Sequence, residues 1–279
     1  MKKNKKTKKT SILIYSLISV LLVVLLSAFA YAAVPFGADV TPTTPSDSAT
    51  ADNADSDTNA IAGNITSMIV TGFTVTQSWQ GYYGNITGTI TLEDSGGNVM
   101  YNWSESSPEG EIFASTNSSI IWNYIQCFNL TAAGTYASDT GNAGGTSQFG
   151  TNLTILEDEF NIAYDDPDGV NETFFINGTQ PFGEGLIHDQ FVVNSLLFTP
   201  GECGAATHLF ADSNSSEDSA FQEVLLYEPT TYSVVFMTIL DEDEPGFDDN
   251  PHDFQMIVLE DGHGTDTATD TYYFWVELE

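Results

Sequence analysis

From residue 65 onward, the chain alternates between short apolar runs and polar turn residues. The runs are rich in β-branched and aromatic side chains, and Gly, Asn, Asp and Pro separate them. No long run keeps the apolar spacing of a helix. The pattern therefore predicts one all-β domain over residues 64–279, an antiparallel β-sandwich or jelly-roll-like fold. The predicted strands cover residues 65–76, 82–92, 98–103, 111–114, 120–127, 173–176, 191–198, 206–211, 221–227, 231–240, 254–259 and 271–278.

Two of these runs predict more than a strand. The run 82–92 is followed by Ser95-Gly96-Gly97 and then by residues 98–103, which is the signature of a β-hairpin. In the last run, Phe274 and Trp275 lie on opposite faces, so both faces are apolar and the strand is predicted to be central or covered. A second small, loop-rich lobe around residues 131–185 is an alternative to one undivided domain, and residues 153–161 within it could form a short helix.

The first 32 residues have the layout of an export signal. Lysines precede an apolar run over residues 12–29, and Ala30-Tyr31-Ala32 follows as a cleavage site with small residues. Residues 12–33 hold about 20 apolar positions, so the segment is also long enough to remain as an N-terminal membrane anchor. Residues 33–63 are rich in Thr, Pro, Ala and Asp, which predicts a disordered acidic linker. We expect an extracellular or cell-surface protein that contacts the membrane only through its N-terminal segment.

The charges of the chain are strongly segregated. All six lysines lie between residues 2 and 9, there is no arginine, and all 39 acidic residues follow. The chain beyond residue 9 thus has a formal charge of −39 with histidine neutral. Without Lys or Arg this part cannot neutralise phosphates, which excludes ordinary nucleic-acid binding and electrostatic adhesion to anionic lipids. An arginine clamp and a Schiff-base lysine are excluded as well.

Sequons and cysteines fit an exported chain. We expect N-glycosylation at some of the nine Asn-x-Ser/Thr sites, although a chain rich in Asn, Ser and Thr also produces such sites by chance. These sites are Asn64, Asn85, Asn102, Asn117, Asn129, Asn152, Asn171, Asn177 and Asn214. Cys127 and Cys203 are expected to form a disulfide, and two buried free thiols are the alternative.

Two acidic loops are candidate calcium sites. In the first acidic loop, residues 165–172, oxygen ligands would come from Asp166, Asp168, Asn171 and Glu172 around a turn at Gly169. The register is only half that of an EF-hand, and an Asx-rich surface turn is the alternative. In the second acidic loop, residues 241–253, the carboxylates repel one another unless a cation lies among them. A solvated acidic loop without a cation is the alternative. Its candidate ligands are Asp241, Asp243, Asp248 and Asp249.

No pattern in the chain indicates catalysis. A Gly-x-Ser-x-Gly elbow is absent, and the four histidines lack the spacing of a zinc site. A glycosidase pair could only combine carboxylates from different strands, and no pair stands out among so many acids. Exposed aromatic residues could stack on sugar rings, but aromatics at this spacing more often form cross-strand core pairs. The aromatic residues concerned are Trp79, Tyr82, Tyr83 and Trp103.

The segments 77–103 and 253–262, together with the C-terminal segment 272–279, carry a resemblance to known proteins. Their sequences resemble secreted, surface-associated β-rich proteins of archaea. The resemblance implies an exported β-rich glycoprotein and carries over no activity. We therefore expect a non-enzymatic acidic glycoprotein with a structural, envelope, filament or adhesion role, whose partners are envelope components or further copies of itself. The alternative is a secreted module that binds or cleaves carbohydrate.

Overall fold

The computed structural model describes residues 34–40, 62, 65, 67–68, 75–105, 108–128, 153–163, 166–174, 187–210, 221–261 and 269–278. Most of the described residues lie in antiparallel strands or in the turns between them. The strands are β1 (Phe36–Gly37), β2 (Trp79–Gly84), β3 (Gly88–Glu93), β4 (Val99–Glu105), β5 (Gly110–Ser115), β6 (Gln126–Cys127), β7 (Phe191–Val193), β8 (Leu196–Phe198), β9 (Ala206–Leu209), β10 (Phe221–Glu228), β11 (Ser233–Ile239), β12 (Glu244–Pro245), β13 (Pro251–His252), β14 (Phe254–Leu259) and β15 (Tyr273–Leu278). Two short helices, α1 (Leu153–Glu159) and α2 (Val170–Thr173), and a 3₁₀ turn (Trp122–Tyr124) complete the described elements.

A seven-stranded antiparallel sheet forms the centre of the domain. Its strands run in the order β1, β15, β5, β11 and β10, and β10 is then flanked by two strands along the same edge. Strand β9 pairs with the first half of β10, and β6 pairs with Leu226 and Tyr227 in the second half. Strands β14 and β2 form a separate ribbon, and β3 and β4 form another.

One face of the central sheet packs against the helices and the β14–β2 ribbon. Alternate residues of the central strands, including Ile112, Leu225 and Phe236, point to this side and join a single apolar cluster. Leu156 of α1 and Val258 of β14 belong to the same cluster. This packing buries the apolar face of α1 and one apolar face of the central sheet.

The opposite face of the sheet packs against the β7–β8 hairpin and the 3₁₀ turn. Phe113, Leu226 and Met237 point to this side, between the residues that face the helices. A disulfide joins Cys127 of β6 to Cys203, which precedes β9. The bridge therefore connects the two segments that flank the same edge of β10. Because both faces are covered, the central strands are nearly continuous apolar runs.

The predicted all-β antiparallel class is confirmed. The hairpin of β3 and β4 is confirmed, and so is the last strand, since Phe274 and Trp275 of β15 pack on opposite faces. Helix α1 also agrees with the predicted helix at residues 153–161.

Four strand predictions need correction. The run 82–92 is divided between β2 and β3. The chain leaves the β14–β2 ribbon after Gly84, and the N–H of Ile86 donates to the Asp253 carboxylate between the two strands. The run 120–127 contains the 3₁₀ turn before the short β6. The run 191–198 is a hairpin of two short strands. Thr173 ends helix α2 instead of beginning a strand.

Part of the predicted linker also belongs to the fold. Phe36 and Gly37 pair with Val276 and Trp275 at the edge of the sheet, so residues 33–63 are not all linker. The rest of the predicted linker lies almost wholly outside the described residues, as do the signal segment and most of the predicted strand 65–76. Among the helices that the structure describes, none has the length and apolar character needed to cross a membrane.

Candidate functional site

The first acidic loop is held by contacts from other elements. Its Asp168 carboxylate accepts a hydrogen bond from the hydroxyl of Thr76, and the Asp168 carbonyl accepts one from Trp79 Nε1 at 2.6 Å. The Asn171 side-chain amide donates to Glu172 Oε1 at 3.2 Å. Asp166 is half-buried and Glu172 is exposed.

Glu157 on helix α1 fixes the backbone of the same loop. Its Oε1 accepts the N–H of Val170 at 3.2 Å and lies 3.5 Å from the N–H of Asn171. Burial raises the pKa of the Glu157 carboxyl, and the hydrogen bonds from these amides oppose that shift. The loop therefore uses a carboxylate from outside to bind its amides, while its Asp168 side chain contacts Thr76, which precedes β2, and its Asn171 and Glu172 side chains contact each other.

The second acidic loop is ordered by hydrogen bonds of its own. Asp248 accepts hydrogen bonds from Asn250 and from His252 Nε2, the latter at 2.8 Å. Burial alone would raise the pKa of Asp248, but these hydrogen bonds hold it below its usual value. Burial and the nearby carboxylate of Asp189 raise the pKa of Asp241. Asp243 and Asp249 are exposed and adopt the left-handed backbone conformation.

The described residues do not gather the predicted ligands into one centre. Across the ranges that the structure covers, no group of three or more His, Cys, Asp or Glu side chains has the arrangement needed to hold a metal ion. The first acidic loop is organised by contacts from Thr76, Trp79 and Glu157, whereas the turn of the second loop is organised by hydrogen bonds within the loop. Calcium binding stays a prediction from the sequence.

Buried carboxylates instead bind backbone amides at several places. Glu111 and Glu277 are opposite each other on β5 and β15 and are 3% and 1% exposed. Glu111 accepts the N–H of Val192, and Glu277 accepts the N–H of Asn194, both at 2.8 Å. The pair thereby holds the β7–β8 hairpin on the sheet. In a body without Lys or Arg, N–H groups supply the positive partial charge that a buried carboxylate requires.

The four aromatic residues singled out in the sequence divide into two groups. Trp79 packs against Phe174 with the ring centroids 5.8 Å apart, and Tyr82 packs edge-on against Phe274 at 5.3 Å. Both belong to the packing around the helix-side core. Tyr83 is 45% exposed and Trp103 is 50% exposed. Of these four aromatic residues, Tyr83 and Trp103 are therefore the two that are exposed to a ligand.

Trp103 belongs to an exposed apolar face on the β3–β4 hairpin. Register places Ile90 opposite Trp103 and Leu92 opposite Tyr101, so these four side chains point to the same side. They are 45% to 58% exposed, and the rings of Tyr101 and Trp103 meet edge-on at 4.8 Å. We call these four residues the hairpin face. Within the described part of the chain, β3 and β4 pair only with each other.

The hairpin turn is rigidly built by local interactions. Asp94 Oδ1 accepts the N–H groups of Gly96 and Asn98, each at 2.9 Å, and both of its oxygens contact the Asn98 side-chain amide. These hydrogen bonds lower the pKa of the Asp94 carboxyl. Gly97 adopts a φ of 79°, which favours glycine. The hairpin is therefore specified by its own sequence and does not need a neighbouring strand to set its register.

Four of the nine sequons lie within the described residues. Asn85 and Asn102 are exposed, and Asn102 lies on the side of β4 opposite to the hairpin face. Asn117 and Asn171 are half-buried. The remaining five, Asn64, Asn129, Asn152, Asn177 and Asn214, lie outside the described residues.

Sequence reasoning missed one feature, a cleft beside the turn between β10 and β11. It is lined by Asn117, Glu159, Thr231, Tyr232 and Ser233, among others. Its residues come from four separated parts of the chain, so no local motif could indicate it. Comparison with protein-family models, with curated proteins and with solved structures gives no match to this chain.

Proposed function

We propose that this chain is an exported acidic glycoprotein with a non-enzymatic, structural or adhesive role at the cell surface, which contacts its partner through the hairpin face. The observation that carries the proposal is the hairpin face itself. Four half-exposed apolar side chains stand together on a ribbon that no other described strand joins. Exposed apolar groups of this kind on a soluble surface are typical of interaction sites.

The placement of Asn102 supports the use of the hairpin face. Side chains of β4 alternate, so Asn102 points away from Tyr101 and Trp103. A glycan on Asn102 would cover the side of the ribbon opposite to the hairpin face and leave the hairpin face free. The carboxylate of Asp94, in the turn between β3 and β4, adds a negative charge at one end of this ribbon.

The charge of the chain favours one of the two kinds of partner. A second copy would bring another body with a formal charge of −39, and the two would repel at moderate ionic strength. A partner with an apolar patch and a rim of Lys or Arg would be attracted instead. We therefore propose a basic-rimmed protein of the cell envelope as the partner, and self-assembly is the competing outcome of the test.

The proposal is tested by retention on washed cell envelopes from the producing organism. In the double variant Leu92→Thr/Trp103→Thr, the ribbon keeps residues that favour strands but loses half of its apolar groups. The matched control is Met100→Thr, because Met100 is 82% exposed and lies on the other side of β4. We expect the double variant to be released and the control to be retained.

Three results would contradict the proposal. Equal retention of the two variants would remove the role of the hairpin face. Loss of retention through a salt-dependent dimer, detected by sedimentation, would replace the basic partner with a second copy. An unprocessed and unglycosylated chain in the cytoplasm would remove the surface role altogether.

A further inference from the structure

The cleft beside the β10–β11 turn has the walls of a small binding site. Its volume is about 220 Å³. The turn lines the cleft together with Glu159, the last residue of α1, and Phe160. Thr116 and Asn117, which follow β5, and the partly buried Tyr272 complete the lining.

Tyr232 is held at the edge of this cleft in an unfavourable backbone conformation. Five described residues other than glycine have a positive φ, and four of them are Asn or Asp, which tolerate it. The exception is Tyr232, with a φ of 57°. Its side chain is 58% exposed, so core packing does not explain the choice of a large ring. Strain of this kind tends to be kept where a side chain must be presented to a ligand.

A chain of hydrogen bonds makes the polar wall of the cleft rigid. The fully buried Glu228 accepts the N–H groups of Thr230 and Thr231 at 2.8 and 2.9 Å, and it also accepts the Thr231 hydroxyl. The Thr231 and Ser233 hydroxyl oxygens are 2.8 Å apart. Asn117 Nδ2 donates to the Ser233 hydroxyl, again at 2.8 Å. The network fixes the turn that presents Tyr232.

The chemistry of the lining limits the class of ligand. Among the described residues that line the cleft, none is Lys, Arg or His, so these residues offer no positive charge to an anionic ligand. The lining offers hydroxyl groups, the carboxylate of Glu159 and the exposed ring of Tyr232. A sugar ring matches this set, because its hydroxyl groups both donate and accept hydrogen bonds and its C–H face can pack on an aromatic ring. We propose that this cleft binds a neutral sugar ring.

The sugar could come from two sources, which share the same chemistry. One source is a free or partner-borne glycan. The other is the N-linked glycan of Asn117 itself, since Asn117 lines the cleft and begins the sequon Asn117-Ser118-Ser119. In either case the site is separate from the hairpin face, and it does not depend on the aromatic residues that the sequence pointed to.

The first experiment uses the protein with its disulfide formed, produced without glycosylation. Neutral methyl hexopyranosides are titrated and followed by saturation-transfer NMR. Tyr232→Asn removes the ring and keeps a residue that suits the left-handed turn, so the fold should be retained. The matched control is Tyr124→Asn, because Tyr124 is 47% exposed and does not line the cleft. We expect wild type and control to bind, and Tyr232→Asn to bind about tenfold more weakly.

The second experiment distinguishes the sources with glycosylated protein. Ser119→Ala removes the sequon but leaves the Asn117 side chain in the network, because Ser119 contributes only its backbone N–H to Asn117. If the cleft is filled by the chain's own glycan, Ser119→Ala binds added sugar and glycosylated wild type does not. If the glycan comes from elsewhere, both bind it equally.

Three results would overturn the sugar site. These are no saturation transfer with wild type, equal binding by Tyr232→Asn and wild type, and binding of n-butylamine without any sugar binding. The last would identify a cationic ligand instead. None of these results bears on envelope retention through the hairpin face, so the two proposals can fail independently.

Discussion

Glu223 should make the stability of this protein rise on mild acidification. The side chain is fully buried, and its Oε2 accepts the N–H of Ile257 at 2.8 Å. The other carboxylate oxygen, Oε1, is buried with no hydrogen-bond partner in the structure. Burial raises the pKa of Glu223 well above the ordinary 4.5. The folded protein therefore keeps a proton on Glu223 at pH values where the unfolded chain has released it.

The sign and size of the effect follow from proton linkage. A raised pKa gives stability that is complete below the unfolded pKa and is lost as pH rises through the folded pKa. The loss is about 1.4 kcal/mol for each pH unit over which only the folded state holds the proton.

Glu223→Gln has the shape of the protonated acid and cannot titrate, so its stability should be independent of this proton. We expect the variant to gain on wild type as the pH rises from about 4.5 to 7, with a limit of about 1.4 kcal/mol per pH unit. Urea unfolding of both proteins at constant ionic strength measures the gain. The difference between the two proteins cancels other titrating groups, including His188, whose pKa is lowered by burial and which acts in the opposite direction.

An exposed glutamate provides the matched control. Glu109→Gln removes one negative charge at the surface, so it tests whether the gain comes from net charge alone. A gain of equal size in Glu109→Gln would assign the effect to charge repulsion. A Glu223→Gln difference that is the same at both ends of the pH range would refute the linkage argument.

Four further predictions concern the stability of the fold. Replacing both Cys127 and Cys203 with Ala should lower the unfolding free energy by about 2–5 kcal/mol in non-reducing urea titrations, and an unchanged midpoint would mean that the bridge adds nothing. Gly110→Ala should cost more than about 3 kcal/mol in the same assay, because an added Cβ would lie 2.1 Å from the Glu277 carbonyl oxygen at a φ of 127°, and a folded, equally stable variant would contradict this. Tyr232→Gly should raise the stability by about 1 kcal/mol through relief of backbone strain, whereas a loss would show that the ring contributes to packing. Added KCl should raise the melting temperature by screening the acidic body, and Ca²⁺ at matched ionic strength, with a chelator control, tests the two acidic loops because only a bound ion gives a further rise.

Long apolar strands could be predicted from the sequence because a strand that is covered on both faces is a nearly continuous apolar run. Strands β10, β11 and β14 coincide closely with the predicted runs. Strand β1 has two residues and could not be predicted, since such a segment has no period of its own. It forms because the longer β15 offers it a free edge.

The candidate sites were harder to predict than the strands. The carboxylates of the acidic loops can be counted in the sequence, but the direction in which each one points depends on the fold. Asp253 illustrates this, because its carboxylate accepts the N–H of Ile86, which lies between β2 and β3. Likewise, Thr173 belongs to a helix because Glu157, far away in sequence, binds the first amides of α2. Predicting the cleft would have required both the residue types and the fold, because its lining comes from four separate parts of the chain.

The attachment of β1 to the sheet determines how the domain would respond to force. Strand β1 is joined to β15 through only two residue pairs. In a chain tethered through its N-terminus, tension would reach this short pair before the other described strands, so β1 would detach before β2. The edge strand would therefore yield first under tension, and the other strands of the central sheet would stay paired.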